Sequence, residues 1–485
     1  MSSGRRLLKN SGLYALVQIL QKSIGLILIP IYTGLMVPAE KGISDTVVAL
    51  VSFLSILFSL SLNAAVIRFY VDYKEDKKKL KEFWGACITF VALNCIIMSS
   101  VFIIFRRILI EPFAKGIDFF PFIFLGIISI TLNAIYNIFQ TTLQAKEESR
   151  KYASNNLAYF LVNLSLNLLF VVGFKKGSLG ILLALAITDI IFFIYTVVVF
   201  IPTISLNIKK CYIVQALKYS LPLLPHSLSG WAVAMIDKLF LANINGLSSP
   251  AIYSNGAQFG NIINVLTQAV NQAYVPWFFE RMEDKEKNQN EIVKMSEILT
   301  IIYSVLAMGM SLFGPEIFKV MVNKKYYSGW TVIPFLSFAF VFNGIYYFFV
   351  NPLFFNKKGV KFIAIGTFTG AILNCILNVI LIPKFDIIGA SIASLFASIL
   401  SCILIYYISR KIEPIGFNII KLFSISFIFL IIGMSSFLLT DLSFWISILI
   451  KVLIVVIVFL ILFIIYKKDI IDTLSKLKKG SNIIK

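Results

Sequence analysis

The residues of this chain that could do chemistry are amides, hydroxyls and a few charges set inside long apolar runs, a pattern fit to hold a polar solute rather than to break a bond. The densest stretch is 216–279, where two long apolar helices are expected around a turn at 245–250. On the first, Tyr219, His226, Gly230 and Asp237 are spaced seven, four and seven apart, which at about 100° per residue puts them on one face. On the second, Gln258, Asn261, Asn264, Gln268 and Asn271 form an unbroken amide stripe. Such groups are costly in hydrocarbon, roughly 2.5–3.5 kcal/mol for a mid-membrane charge, so their faces turn toward a water-filled cavity. One wall of a transport path is the expectation.

Similar rows lie earlier. Stretch 12–34 carries Tyr14, Gln18, Gln21, Lys22, Gly25 and Tyr32 on one helical face, with Lys22 near mid-depth. Lysine snorkels poorly from there, and its structural alternative is an interhelical hydrogen bond. Stretch 43–67 carries Asp45, Ser52, Ser55, Ser59 and Asn63 and ends at Arg68. Single serines serve close helix approach; a row of them suggests a wet face. Stretch 119–143 adds Asn133, Tyr136, Asn137 and Gln140, and Asp189 falls near the middle of 179–201. That acid suits a structural pair, a protonated carboxyl or a functional site.

The elements that must carry these residues follow from composition. Of 485 residues, 59% are hydrophobic and 14% charged, and the mean hydropathy is +0.88, which describes an all-α polytopic membrane protein. Apolar runs of about 20 residues recur between 12 and 466 and give fourteen spans. The first follows Arg5 and Arg6 as a secretory signal would, but it runs on to Gly34 without a small-residue cleavage site and is expected to stay as a helix.

Three matches in near-constant register mark an internal repeat. Leu8, Lys9 and Ser11 recur as Leu217, Lys218 and Ser220; Asn133, Ile135, Tyr136, Phe139 and Leu143 recur 210 positions on as Asn343, Ile345, Tyr346, Phe349 and Leu353. Asn163, Asn167, Gly180 and Ala184 recur as Asn374, Asn378, Gly389 and Ala393. Six spans per repeat give pseudo-symmetric halves of like orientation, related by an axis along the membrane normal, with a path between them. The expected units are 1–205 and 206–412, each a six-helix lobe, and 413–485, two further helices with a basic tail.

The net charge of +20 raises nucleic acid as a partner, and its distribution removes it. With the N-terminus inside, Arg68, Lys74, Lys77, Lys78, Lys79 and Lys81 fall in one cytoplasmic loop, and Lys467, Lys468, Lys476, Lys478, Lys479 and Lys485 in a cytoplasmic tail. This positive-inside pattern sets orientation and touches anionic lipid, with both termini in the cytoplasm. Lys451, near the outer end of the last span, is expected to snorkel. Five cysteines without CxxC spacing and a single histidine support neither a disulfide framework nor a metal site. There is no GxxxxGK[ST] loop, and the longest gaps, 68–82 and 277–294, are too short for a soluble domain, so no enzyme and no cofactor are implied.

Three stretches resemble the polysaccharide-lipid flippases of the multidrug/oligosaccharidyl-lipid/polysaccharide (MOP) exporter superfamily, the Wzx-type or O-antigen flippases. They are 219–279 with Pro222, Asp237, Lys238, Tyr253 and Pro276, then NPLFFNKKG at 351–359, then LNVILIPKFDIIGASIAS at 377–394. Where relatives commonly show Asp and Arg, this chain has Asp237 and Lys238, which keeps the charge and loses the bidentate fork. The last two spans resemble the fourteen-span members, which include lipid II flippases.

The resemblance implies movement of undecaprenyl diphosphate-linked oligosaccharide from the inner to the outer leaflet of a bacterial cell membrane, beside the polysaccharide polymerase machinery. In that reading Lys22 meets the diphosphate and Arg68 its cytoplasmic approach. Gln18, Gln21, Asn133, Asn261, Asn264 and Gln268 face the sugars. Asp237 with His226, and Asp189 second, serve H+ or Na+ coupling. A cation-coupled multidrug exporter of the same superfamily shares the fold but calls for a more acidic cavity. A membrane glycan polymerase or ligase calls for a large outer loop, which this chain lacks, and a scaffold gives no reason for polar stripes.

Overall fold

The computed structural model describes residues 25–356 and 359–481, with backbone alone for 360–361 and 467–481. Among these residues helices are the only regular structure. Hydrocarbon imposes this, because every backbone N–H and C=O in it must be paired within its own segment.

The first crossing is described over Gly25–Leu35, and Pro38–Tyr73, Lys77–Ile104, Phe119–Ala145, Ser149–Gly173 and Gly177–Thr203 follow. A short helix, Lys210–Ser220, leads to the seventh and eighth crossings, Leu224–Ile244 and Ser248–Met282. These two are not among the ten stretches apolar enough to be recognised by hydropathy, because their polar faces dilute them. Lys285–Met321, Lys324–Phe355, Phe362–Ile412, Ile419–Leu438 and Phe444–Tyr466 complete the chain. Phe362–Ile412 makes two crossings. It turns back at Asp386, whose φ of 48° and ψ of −128° leave the helical region, and Gly389 then packs on Leu381, Gly370 on Ser401 and Gly366 on Ile405. Fourteen crossings result, as the sequence pattern implies.

Successive crossings alternate in direction. The turns at 74–76, 146–148 and 283–284 therefore lie at one end, together with the helix Lys210–Ser220; this is the basic end, and the opposite one the far end. At the basic end the Asp76 side chain caps Lys77–Ile104 by accepting from the N–H groups of Lys78 and Lys79, both at 3.1 Å. Those bonds, the Lys79 N–H above all, hold its carboxyl below the usual carboxylate range.

The second crossing is broken by Leu60 and Ser61, both left-handed at φ 48° and 54°. The carbonyls of Leu57 and Phe58 next to the break accept from Asn94 Nδ2 at 3.1 and 2.8 Å. Asn94 thus repairs from the third crossing what the kink costs the second.

Buried apolar side chains form two main cores, one drawn from Val47 to Leu239 and one from Ile263 to Val458. The first takes in Ala216 and packs on Leu217, so the helix Lys210–Ser220 sits on the first half, where Tyr73 Oη donates to Gln215 Oε1 at 2.7 Å and Lys209 pairs with Glu82 at 2.7 Å. At the far end the halves meet directly. Tyr326 Oη donates to the Met36 carbonyl at 3.1 Å, Asn243 Nδ2 to the Phe113 carbonyl at 2.8 Å, and the Lys115 N–H to Asn243 Oδ1 at 3.2 Å. Gly42 packs with no room for a side chain against the Leu247 carbonyl.

Lys451 departs from the sequence expectation. It does not snorkel but is fully buried, with Nζ 2.7 Å from both oxygens of Glu316, which also accepts from Ser447 Oγ at 2.7 Å. An acid on the ninth crossing gives the ammonium a partner inside the protein, which removes the reason to reach for the interface.

Candidate functional site

A cavity of about 740 Å³ opens between the halves and is walled mainly by the second one. The eighth crossing lines it with Gln258, Asn261, Asn264, Gln268 and Asn271. At 1.5 Å per residue that stripe runs about 20 Å along the helix. Its amides brace one another: Asn264 Nδ2 donates to Asn261 Oδ1 at 2.9 Å, and Gln268 Nε2 to Asn264 Oδ1 at 3.1 Å. Asn351 of the tenth crossing donates to Asn271 Oδ1 at 3.0 Å. Tied together, these amides keep orientation while their remaining donors and acceptors face the lumen. Asn343, Tyr346 and Tyr347 add to the wall from the tenth crossing, and Ser394, Ser398 and Ser401 from the twelfth.

The seventh crossing contributes along an i, i+4 row, namely His226, Gly230, Ala234 and Lys238. Toward the far end the lining includes Lys238 and Asp45 together. Asp45 is held by Lys41, whose Nζ lies 2.7 and 2.9 Å from its oxygens. Lys238 thus brings a basic side chain to the closed end of a lumen whose other polar lining is mostly amides and hydroxyls.

Asp237 points the other way, behind this wall. Its carboxylate accepts from Tyr253 Oη at 2.5 Å, Asn378 Nδ2 at 2.6 Å and Ser394 Oγ at 2.7 Å, and is 3% exposed. Three crossings besides its own therefore converge on one acid, each with a neutral donor. Tyr253 and Ser394 also line the cavity, so two side chains separate the carboxylate from the lumen.

The first half holds a second, smaller cavity of about 320 Å³. Ser52, Ser55, Ser59 and Asn63 line it from the second crossing, with Asn133 and Asn137 from the fourth and Asp189 from the sixth. Asp189 is 1% exposed and accepts from Asn133 Nδ2 at 2.6 Å, Tyr159 Oη at 2.8 Å and Ser129 Oγ.

The model of the family described as polysaccharide biosynthesis protein matches residues 7–282, more than half of this chain. The chain belongs to the polysaccharide biosynthesis protein family. An uncharacterized membrane protein of Methanocaldococcus jannaschii is 32% identical over 165 residues, 33% of this chain and 32% of that protein; the chain thus spans about a third of that relative's length. Among solved structures the chain is similar to the lipid II flippase MurJ in an inward closed conformation, with a TM-score of 0.73 at 18% identity over 94% of this chain and 99% of that one. It is also similar to the MATE transporter VcmN of Vibrio cholerae, with a TM-score of 0.56 at 16% identity over 84% and 96%. At such identities the likeness shows the fold. These neighbours are named a flippase and a transporter, not enzymes.

Of the residues singled out by sequence in this polysaccharide biosynthesis family member, Asn261, Asn264, Gln268 and His226 line the larger cavity, and Asn133 and Asp189 the smaller. His226 and Asp237 share a helix but are eleven residues, about 16 Å, apart along it, too far for direct contact. Arg68 lines neither cavity; it is half-exposed at the basic end and paired with Asp72 at 3.0 Å. Gln18, Gln21 and Lys22 lie outside the described residues. The contribution of Lys238 to the lumen was missed, although an i, i+4 row from His226 leads straight to it.

Proposed function

We propose that this protein is an alternating-access flippase that carries undecaprenyl diphosphate-linked oligosaccharide from the inner to the outer leaflet of a bacterial cell membrane, with the basic end and both termini in the cytoplasm. The observation that carries this reading is the braced amide stripe of the eighth crossing inside the 740 Å³ cavity. Sugar hydroxyls are donors and acceptors at once, and a wall of amides offers both without fixed charge. A cationic drug would be better served by carboxylates, and Asp45 already has Lys41 for a partner.

Lys238 is our candidate for the diphosphate contact within the described lumen, as a point charge near the closed far end, and Lys22 remains the candidate on the first span. The isoprenoid stays in lipid. An inside-negative potential favours outward movement of an anion by roughly 2.3 kcal/mol per charge per 100 mV. Asp237 is the first candidate for cation coupling, since an acid buried among three neutral donors has only lumen side chains between it and the solution. The six-helix lobes 1–205 and 206–412 would rock about the cavity, with 413–485 as an appended pair.

The test is flipping of a labelled undecaprenyl diphosphate sugar in proteoliposomes under an imposed potential. Wild type is expected to flip it. Asn264→Leu with Gln268→Leu should lose at least tenfold in rate, which about 1.4 kcal/mol of lost hydrogen bonding suffices to cause. Exchange of cationic drugs without movement of lipid-linked sugar would replace this reading by the exporter one.

A further inference from the structure

We propose that Asp189 and the smaller cavity form a proton site, at which the carboxylate is reversibly protonated through cavity water independently of the substrate lumen. The two cavities share no lining residue. The inference deepens the coupling part of the proposed function and rests on that reading only for its use in transport.

The walls are built to hold water. Ser52 and Ser55 give their hydroxyl hydrogens to their own helix, to the Val48 and Ser52 carbonyls, so their lone pairs are left for other donors. Asn63 Oδ1 has no hydrogen-bond partner among the described residues. Asn137 is exposed at the rim and donates to Asn133 Oδ1 at 2.5 Å, and Asn133 in turn donates to Asp189. A volume of 320 Å³ holds roughly ten waters or more. A row of serine and asparagine side chains with room for water thus ends at one acid.

The immediate surroundings of that acid suit a proton better than a metal cation. Asn133, Tyr159 and Ser129 all turn hydrogens toward the carboxylate, whereas a bound metal ion needs lone pairs from its neighbours. Both protonation states can be satisfied by one small movement. When Oδ2 takes a proton from a hydronium ion and leaves neutral water behind, the Ser129 hydroxyl rotates, accepts the new O–H, and turns its own hydrogen to the helix. The proton returns to water by the reverse step, and nothing is oxidised or reduced.

Among the described residues no competing charge lines the cavity. Its titratable neighbours are tyrosines: Tyr159 from the fifth crossing, Tyr136 of the fourth stacked on Tyr159 with centroids 5.6 Å apart, and Tyr195 of the sixth beyond Phe192. Among the described residues lining the cavity, from the second, fourth, fifth and sixth crossings, there is no Lys, Arg, His, Glu or second Asp. Among the described residues the ionised acid therefore has neutral donors and no counter-cation, so its charge can change without leaving a stranded partner there.

The experiment is an infrared pH titration of the full chain in nanodiscs with carbon-13-labelled aspartate, with no substrate present. The difference between wild type and Asp189→Asn, in which the other aspartates cancel, is expected to gain a protonated-carboxyl band as pH falls. Asp237→Asn should keep that band, and Ser129→Ala, which retains the acid, should move its midpoint. A spectrum of Asp189→Asn that titrates as wild type does, leaving no band in the difference between them, or a midpoint of that difference band untouched by Ser129→Ala, overturns the proposal. A midpoint that shifts with sodium at constant pH also overturns it, in favour of a metal cation. Because the titration needs no sugar, its failure is separable from failure of the flipping assay.

Discussion

The buried pair between Glu316 and Lys451 offers the sharpest test of how the last crossing is held. The crossing Phe444–Tyr466 is only 11% buried over its apolar window, so apolar packing does little to choose its rotation. Lys451 Nζ meets both Glu316 oxygens at 2.7 Å, and the two side chains are 0% and 7% exposed. Replacing the lysine by an apolar residue of similar length, Lys451→Met, strands a carboxylate with Ser447 as its remaining donor. The expected loss is about 3–5 kcal/mol, the cost of leaving one member of a buried pair uncompensated. Replacing both, as Glu316→Met with Lys451→Met, removes the desolvated charges together and should recover most of that loss. Equilibrium unfolding in mixed micelles of the wild type, both single variants and the double variant gives the coupling energy directly. A single-variant cost below about 1 kcal/mol would match an exposed pair instead. A double variant no better than Lys451→Met would show that the lysine contributes packing rather than charge. Either result refutes the argument.

Two other consequences are open to measurement. Gly42→Ala places a methyl on the Leu247 carbonyl, which is backbone and cannot swing aside, so the far end should fail to close; labelling of Gln258→Cys in a cysteine-free background by an impermeant thiol reagent from the far side should rise several-fold, and unchanged labelling would count against the contact. Asp76 has its carboxyl held low by the helix N–H groups it caps, so its contribution is present above an unfolded value of about 3.9 and lost as pH falls through the lower folded one. Hydrogen exchange at Lys78 and Lys79 should therefore accelerate at the acid end in wild type but be nearly pH-independent, after correction for intrinsic rates, in Asp76→Asn.

The features legible in the sequence are those governed by short-range periodicity. Most of the crossings follow from hydropathy, and the amide stripe of the eighth follows from its spacing, because a helix turns the same angle whatever surrounds it. Even the two crossings too polar for a hydropathy criterion were legible, since their polar residues lie on one face. What escaped depends on long-range partners or on one residue of phase. Glu316 and Lys451 are 135 positions apart, and nothing local announces that they meet. Asp237 and Lys238 are adjacent, so about 100° separates them. The row spaced seven, four and seven ends on Asp237, whereas the wall of the cavity drifts along an i, i+4 row that ends on Lys238. The first points at the eighth, eleventh and twelfth crossings, the second at the lumen.

The repeat shows how two of the buried acids, Asp189 and Asp237, sit differently in the two halves. Asn374 and Asn378 recur from Asn163 and Asn167, and each pair makes the same internal contact: Asn378 Nδ2 to Asn374 Oδ1 at 3.1 Å, and Asn167 Nδ2 to Asn163 Oδ1 at 3.0 Å. Beyond that contact the halves diverge. Asn378 also donates to Asp237, on the first crossing of its half. In the first half the corresponding amide meets Tyr32, whose Oη donates to Asn167 Oδ1 at 3.2 Å, and its acid sits instead on the sixth crossing, among Ser129, Asn133 and Tyr159. The amide ladder is thus the common clamp between helices, and the carboxylate is the variable part placed upon it. A clamp of neutral amides holds either half together with or without a charge, which leaves the position of the acid free to differ: behind the wall of the large lumen in one half, and at the end of a separate serine- and asparagine-lined cavity in the other.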